Sequence, residues 1–291
     1  MDERAPLIRH ESSGPEASES FRYRKELFQL TRDTLPITAS FALQNIVQAW
    51  SIFTAGKLGT FELEVASYGY MFASCTGSML AIGGATALDT LCSRAIASEG
   101  TQSDTVILLL QRGLLFISGL FLCVITPLWI WSGPIFIALG QEAQFAQATA
   151  HFLHILIPAG LLQVVAECLK RYLQVQGLSP AVGWSVCVAS VIGAIANYAL
   201  IKGSPLGLDG APVSYIIYHL STVLLLLFYI QRRQSSGDGP KFRLLSLRRE
   251  IFDGMKIFIS YAMTGILTVA TEWWRYKPSA KLSTVLYANV R

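Results

Sequence analysis

Long apolar runs broken by short polar, glycine- or proline-bearing stretches set the pattern of this chain. The runs cover roughly residues 36–57, 63–88, 106–131, 152–168, 180–201 and 211–230, with a seventh from 251 to 274. Each of the first six holds about 20 residues, the length an α-helix needs to cross the hydrocarbon of a bilayer. Their apolar residues lie on all sides of the predicted helices, the mark of segments facing lipid or other helices. The pattern predicts an all-α polytopic membrane protein: six transmembrane helices plus a partial seventh. The parts are a disordered cytoplasmic tail over 1–34, a six-helix lobe over 35–230, and a basic cytoplasmic loop over 231–250. A partial helix over 251–274 and a divergent tail over 275–291 follow.

Composition agrees. Of 291 residues, 52% are hydrophobic and only 14% charged, and mean hydropathy is +0.45. Soluble domains carry about 25% charged residues. The net charge of +4 is small, and the basic residues sit between the runs, which argues against a nucleic-acid surface. Bases are rich in the N-terminal tail, after the fourth run (Lys170, Arg171) and after the sixth (Arg232, Arg233, Lys241, Arg243, Arg248, Arg249). The other loops are poor in them, which places the N-terminus in the cytoplasm. Arg275, Lys277, Lys281 and Arg291 in the last tail break that parity. Cys75, Cys92, Cys123, Cys168 and Cys187 are scattered without a CxxC pair and read as free thiols. His151 and His154 have no third ligand nearby in sequence, so neither a metal nor a cofactor is expected. Trp129 and Trp131 suit an interfacial aromatic belt. Residues 141–150 read as an amphipathic surface segment.

The polar residues within the runs are few. Gln44 and Gln48 are spaced i, i+4 and share a face, with Asn45 beside them; Asn197 lies in the fifth run. Glu272 is the carboxylate deepest in a run, next to Trp273, Trp274 and Tyr276. An acid within a membrane is by default a functional group. Low dielectric disfavours its charged form, which suits it to taking up and releasing a proton. The neighbouring rings offer cation–π contacts. Substrate-cavity candidates are thus Gln44, Gln48, Asn197, Trp273 and Tyr276, with Glu272 as the proton- and substrate-coupling acid. No paired acids or histidines converge within the runs, so an embedded enzyme is not expected.

One stretch adds a resemblance. Residues 83–100 (GGATALDTLCSRAIASEG) are rich in small side chains and pass from apolar to charged at Asp89 and Arg94. The segment ALDTLCS, with Asp89 and Cys92, resembles the end of the second helix in the multidrug and toxic-compound extrusion (MATE) transporters of eukaryotic type; Arg94 stands where they carry Gln. KRYLQVQ, with Arg171 and Gln174, is similar to the family segment joining helices 4 and 5. AGKLG after the first run, Asn197-Tyr198, the loop PLGLDGAP and Glu272-Trp273-Trp274 resemble further family signatures in the family's order. The resemblance implies an antiporter that exports xenobiotics or organic cations in exchange for protons or sodium, by alternating access between two six-helix lobes. It covers one lobe here, and Lys277 falls where the family has a second acid in helix 7. A truncated chain, inactive alone, is therefore expected, with a second lobe or a homodimer as partner. The alternatives are a non-transporting half-protein and a lipid-type flippase of the same superfamily. Glu3–Ile8 resembles an acidic dileucine sorting signal, which suggests a vacuolar or lysosomal membrane, with the plasma membrane as the other option.

Overall fold

The computed structural model describes residues 15–100, 104–235 and 251–288, with side chains placed at 31, 34–100, 104–235 and 251–272. Among them, every regular element is helical. The order is α1 (Pro15–Ala55), α2 (Thr60–Ala73), α3 (Met79–Glu99), α4 (Asp104–Leu120), α5 (Thr126–Ile130), α6 (Ser132–Ala138), α7 (Ala143–Val175), α8 (Ser179–Lys202), α9 (Gly210–Ser235) and α10 (Met255–Ala288). A π turn at Ser74–Ser78 joins α2 to α3, and another at Phe121–Ile125 joins α4 to α5. Among the described residues, five helical stretches are long and apolar enough to cross a membrane: Thr60–Glu99, Asp104–Ile130, Ala143–Val175, Ser179–Lys202 and Gly207–Ser235. The expected count was six. The first and last long helices, α1 and α10, are not among the five.

Several boundaries differ from the sequence reading, each for a physical reason. Helix α1 begins at Pro15 rather than near Pro36, which lies in its interior. The stretch 15–34 is rich in Glu, Arg, Lys and Leu, good helix formers that hydropathy does not flag. Residues 143–150 are not a separate surface segment; they are the first turns of α7, which continues unbroken through Pro158 to Val175. Lys170 and Arg171 therefore lie inside a helix, and the loop charge count loses two members. The backbone of α10 continues past residue 274 as far as Ala288. Trp129 packs inside the protein: it is 1% exposed, and its indole donates to Thr76 Oγ1 at 2.9 Å. Trp131 is exposed. The dileucine-like segment and most of the basic loop lie outside the described residues, as do the side chains of Trp273 and Tyr276.

Helix α7 is the centre of the bundle. It packs against α2, α3, α4, α5, α6, α8 and α9, while α8, α9 and α1 pack together on one side and α3, α4 and α10 on the other. Small residues allow the tightest of these contacts. A methyl group on Gly83 of α3 would fall 2.7 Å from Ile266 Cα and 3.0 Å from Gly265 O of α10. Backbone meets backbone there, as in close-packed membrane helices. The core around α7 is otherwise aromatic and aliphatic: Tyr70, Phe121, Phe136, Phe152, Tyr218 and Phe258 are nearly wholly buried.

Candidate functional site

Polar groups in a helix bundle within lipid must find partners in the protein, so where they cluster marks what the fold is built to hold. The inward stripe of α7 carries Gln163, Glu167, Lys170 and, at its rim, Arg171. Glu167 and Lys170 are 1% and 5% exposed. Their i, i+3 spacing brings Lys170 Nζ to 2.5 Å from Glu167 Oε1. The same ammonium donates to Gln44 Oε1 of α1 at 3.4 Å. Tyr215 of α9 lies close to Gln44. His219, one turn on in α9, is buried with its ring 4.6 Å from that of Tyr215 and 4.8 Å from that of Tyr218, centroid to centroid. Neither of its nitrogens has a hydrogen-bond partner, and neither Glu167 Oε2 nor Gln163 Nε2 has one.

A second pair adjoins the first. Arg171 Nη1 donates to Asp89 Oδ2 of α3 at 2.9 Å. The Phe41 ring of α1 lies beneath both cations, 5.6 Å from Lys170 Nζ and 5.8 Å from the Arg171 guanidinium carbon. Two turns of α7 thus hold a buried acid–base pair and a half-exposed one side by side, the arrangement that limits the cost of keeping charge out of water.

The sequence-named residues fall into three places. Gln44 is in the buried cluster just described. Gln48, on the same face, donates to Ser74 Oγ in the π turn at 3.2 Å, and Ser78 at the other end of that turn donates to Gln163 Oε1 at 3.0 Å. Asn197 is 2% exposed and donates to Ser51 Oγ at 2.8 Å and to Ser214 Oγ at 2.9 Å, tying α8 to α1 and α9. Asn45, beside that face in sequence, is exposed and donates to Phe41 O of its own helix. Cys92 is fully buried beneath Asp89, while Gln174 is half-buried near the end of α7. Arg94 bonds the Tyr261 hydroxyl of α10 at 3.0 Å. Glu272 was expected to be the deeply placed carboxylate. It lies exposed on α10, and among the described residues the buried carboxylate is Glu167.

Glu167, Lys170 and His219 escaped the sequence reading. A Lys-Arg pair after an apolar run looks like a helix end, and that masked the i, i+3 acid one turn earlier. His219 gave a signal, a lone imidazole amid Tyr and Leu, which went unused. His151 and His154 do not converge: one meets Asp209 at 3.2 Å and the other the Ile130 carbonyl at 3.0 Å.

A cleft of about 350 Å³ runs between α3 and α10, and Thr86, Thr90, Ser260, Tyr261, Thr264 and Thr268 are among its lining residues. It lies on the α10 side of the bundle, where Arg94 and Tyr261 meet.

Residues 36–199, more than half of the chain, match the MatE family. The chain belongs to the MatE family. Protein DETOXIFICATION 11 of Arabidopsis thaliana is 28% identical over 273 residues, which cover 91% of this chain and 53% of that one. Multidrug and toxin extrusion protein 1 of Xenopus tropicalis is 27% identical over 295 residues, covering 97% and 50%. The crystal structure of the eukaryotic MATE transporter AtDTX14 superposes with a TM-score of 0.80 at 24% identity, over 91% of this chain and 57% of that one. This MatE chain has the fold of those transporters and is an integral membrane protein. It spans about half the length of the curated relatives it matches.

Proposed function

We propose that this MatE chain forms one lobe of a membrane antiporter that exports xenobiotics or organic cations in exchange for protons or sodium. In this reading, the lobe rocks against a second lobe or a second copy of itself. The observation that carries it is the fold: 91% of the chain superposes on a eukaryotic MATE transporter at a TM-score of 0.80. The names of the relatives, detoxification and multidrug and toxin extrusion, point the same way.

Glu272 is the coupling acid of this proposal. It stands exposed one turn beyond Thr268, which lines the cleft between α3 and α10. A cation in that cleft would meet hydroxyl-bearing residues first and then a carboxylate, with Trp273 and Tyr276 following in sequence. Gln44, Gln48 and Asn197 support the lobe rather than line the cleft, because each bonds a neighbouring helix. The N-terminus is assigned to the cytoplasm on the bases of the N-terminal tail and of residues 231–250.

Purified chain in proteoliposomes tests this reading. Movement of a fluorescent organic cation driven by an imposed pH gradient, and lost in Glu272→Gln, supports transport by this chain. No flux from the correctly folded wild type sinks that reading.

A further inference from the structure

The Glu167–Lys170 pair has more polar capacity than its surroundings satisfy. A structural ion pair in a bundle core is expected to have its lone pairs and protons engaged. Here Glu167 Oε2, Gln163 Nε2 and both nitrogens of His219 lack hydrogen-bond partners while buried. Replacing such a pair with apolar side chains of similar volume is often neutral or stabilising. Retaining it in lipid is costly, and ionisable groups at membrane depth serve ion or proton movement by default. A void of about 10 Å³, near the least space one water requires, is lined by Tyr70, Ser74, Ser78, Tyr215 and Gln163, the last one turn before Glu167 on α7. Polar groups therefore continue from the pair to the π turn.

We propose that Glu167 and Lys170 form a proton-binding site at the centre of this lobe, separate from Glu272. The step is proton uptake from water: Glu167 goes from carboxylate to carboxylic acid, with the new O–H on Oε2, and Lys170 stays an ammonium. The pair passes from no net charge to one positive charge. The groups facing it decide the consequence. On α7 these are Cys168 and Arg171, on α3 Asp89 and Cys92, on α9 Tyr215, Tyr218 and His219, and Gln44 on α1. Arg171 is already matched by Asp89. No second carboxylate therefore remains to balance Lys170 among the described residues, and a buried ammonium without a counter-charge is strongly unfavourable. Protonation thus weakens the contact of α7 with α1 at Gln44 and favours an arrangement that hydrates Lys170. As a coupling device it rests on the antiport reading above; as a binding site it does not.

The test is infrared difference spectroscopy on the full chain in lipid nanodiscs, taken from about pH 8 to about pH 5, across which a proton-coupling carboxyl must titrate. The expected result is a protonated-carboxyl band that grows in the wild type and persists in Glu272→Gln. It should vanish in Glu167→Gln and in the double variant Glu167→Gln/Lys170→Met, which leaves no bare ammonium and so guards against misfolding. A wild type without a pH-dependent band overturns the proposal, as does a band unchanged in a folded Glu167 variant. Cation flux in proteoliposomes is scored separately. A Glu167-dependent band without flux fails the antiport reading and keeps the site. Flux without the band keeps that reading and removes the site.

Discussion

Arg171 and Asp89 meet at 2.9 Å across α7 and α3. The side chain of Arg171 is 16% exposed and that of Asp89 is 38% exposed. The two signature segments seen in the sequence, about eighty residues apart, are halves of one contact. Asp89→Asn should lower stability by about 1–2 kcal/mol, short of the range for fully buried pairs because Asp89 reaches water. The exchange Asp89→Arg/Arg171→Asp should recover part of the loss. Thermal unfolding in detergent decides it: a double variant no better than the sum of the singles means that the two do not interact.

Gly83 and Gly265 set the distance between α3 and α10. A Cβ on Gly265 would overlap the Thr86 hydroxyl and the Gly83 carbonyl, and one on Gly83 would strike the backbone of Ile266. Backbone cannot step aside as a side chain can, so Gly83→Ala or Gly265→Ala should cost about 1–3 kcal/mol and push α10 away from α3. Gly119→Ala, with nothing within 4 Å of the added carbon, is the control and should be silent. Spin-label distances between the two helices give the readout. An unchanged distance in Gly265→Ala would show that the contact is looser than described.

Much of this fold was legible as hydropathy. Five spans came directly from apolar runs, because helices crossing lipid satisfy their own backbone and need little else. Boundaries were less legible where polar residues continue a helix, as at 15–34 in α1 and at Lys170 and Arg171 in α7. The site was less legible still. Asp89, Arg171 and Gln44 were named, yet nothing local told that Gln44 lies beside Lys170, with 126 residues between them. Glu272 was chosen because it was the visible acid in an apolar run. Glu167 was passed over because its lysine partner looked like the end of a helix. Partnership across helices is a property of packing, and packing is what periodicity alone does not encode.

Arg94 holds α10 through a different contact. Its Nη1 donates to the Tyr261 hydroxyl at 3.0 Å, and its guanidinium carbon lies 5.8 Å from the centre of that ring. The residue is exposed, so the contact is worth about 0.5–1 kcal/mol. Arg94→Gln keeps a donor and should change thermal stability little. Arg94→Ala should loosen α10 and raise protease cleavage in the segment that precedes it. Equal cleavage rates for Arg94→Ala and the wild type would assign the docking of α10 to the glycine contact alone.

Asn197 and Asn45 offer the sharpest contrast between two polar residues that look alike in sequence. Asn197 Nδ2 is shared between Ser51 on α1 and Ser214 on α9. Ser51 in turn lies 2.9 Å from the Tyr70 hydroxyl, which donates to Ala211 O at 3.0 Å. Four helices meet at this knot, and removing its centre takes the shared amide donor from both serines, leaving Ser51 its Tyr70 contact and Ser214 its bond to Ala211 O. Bonds of this kind between membrane helices average about 0.6 kcal/mol and reach about 1.7. Asn197→Ala also opens a small cavity, so a loss of about 1–2 kcal/mol is expected. Asn45→Ala gives up only a bond to its own helix on an exposed face and should stay within about 0.5 kcal/mol of wild type. Parallel detergent unfolding of the two variants measures the difference. Equal losses would mean that the inward face of α1 is assigned wrongly, since Asn45 would then be carrying a contact between helices.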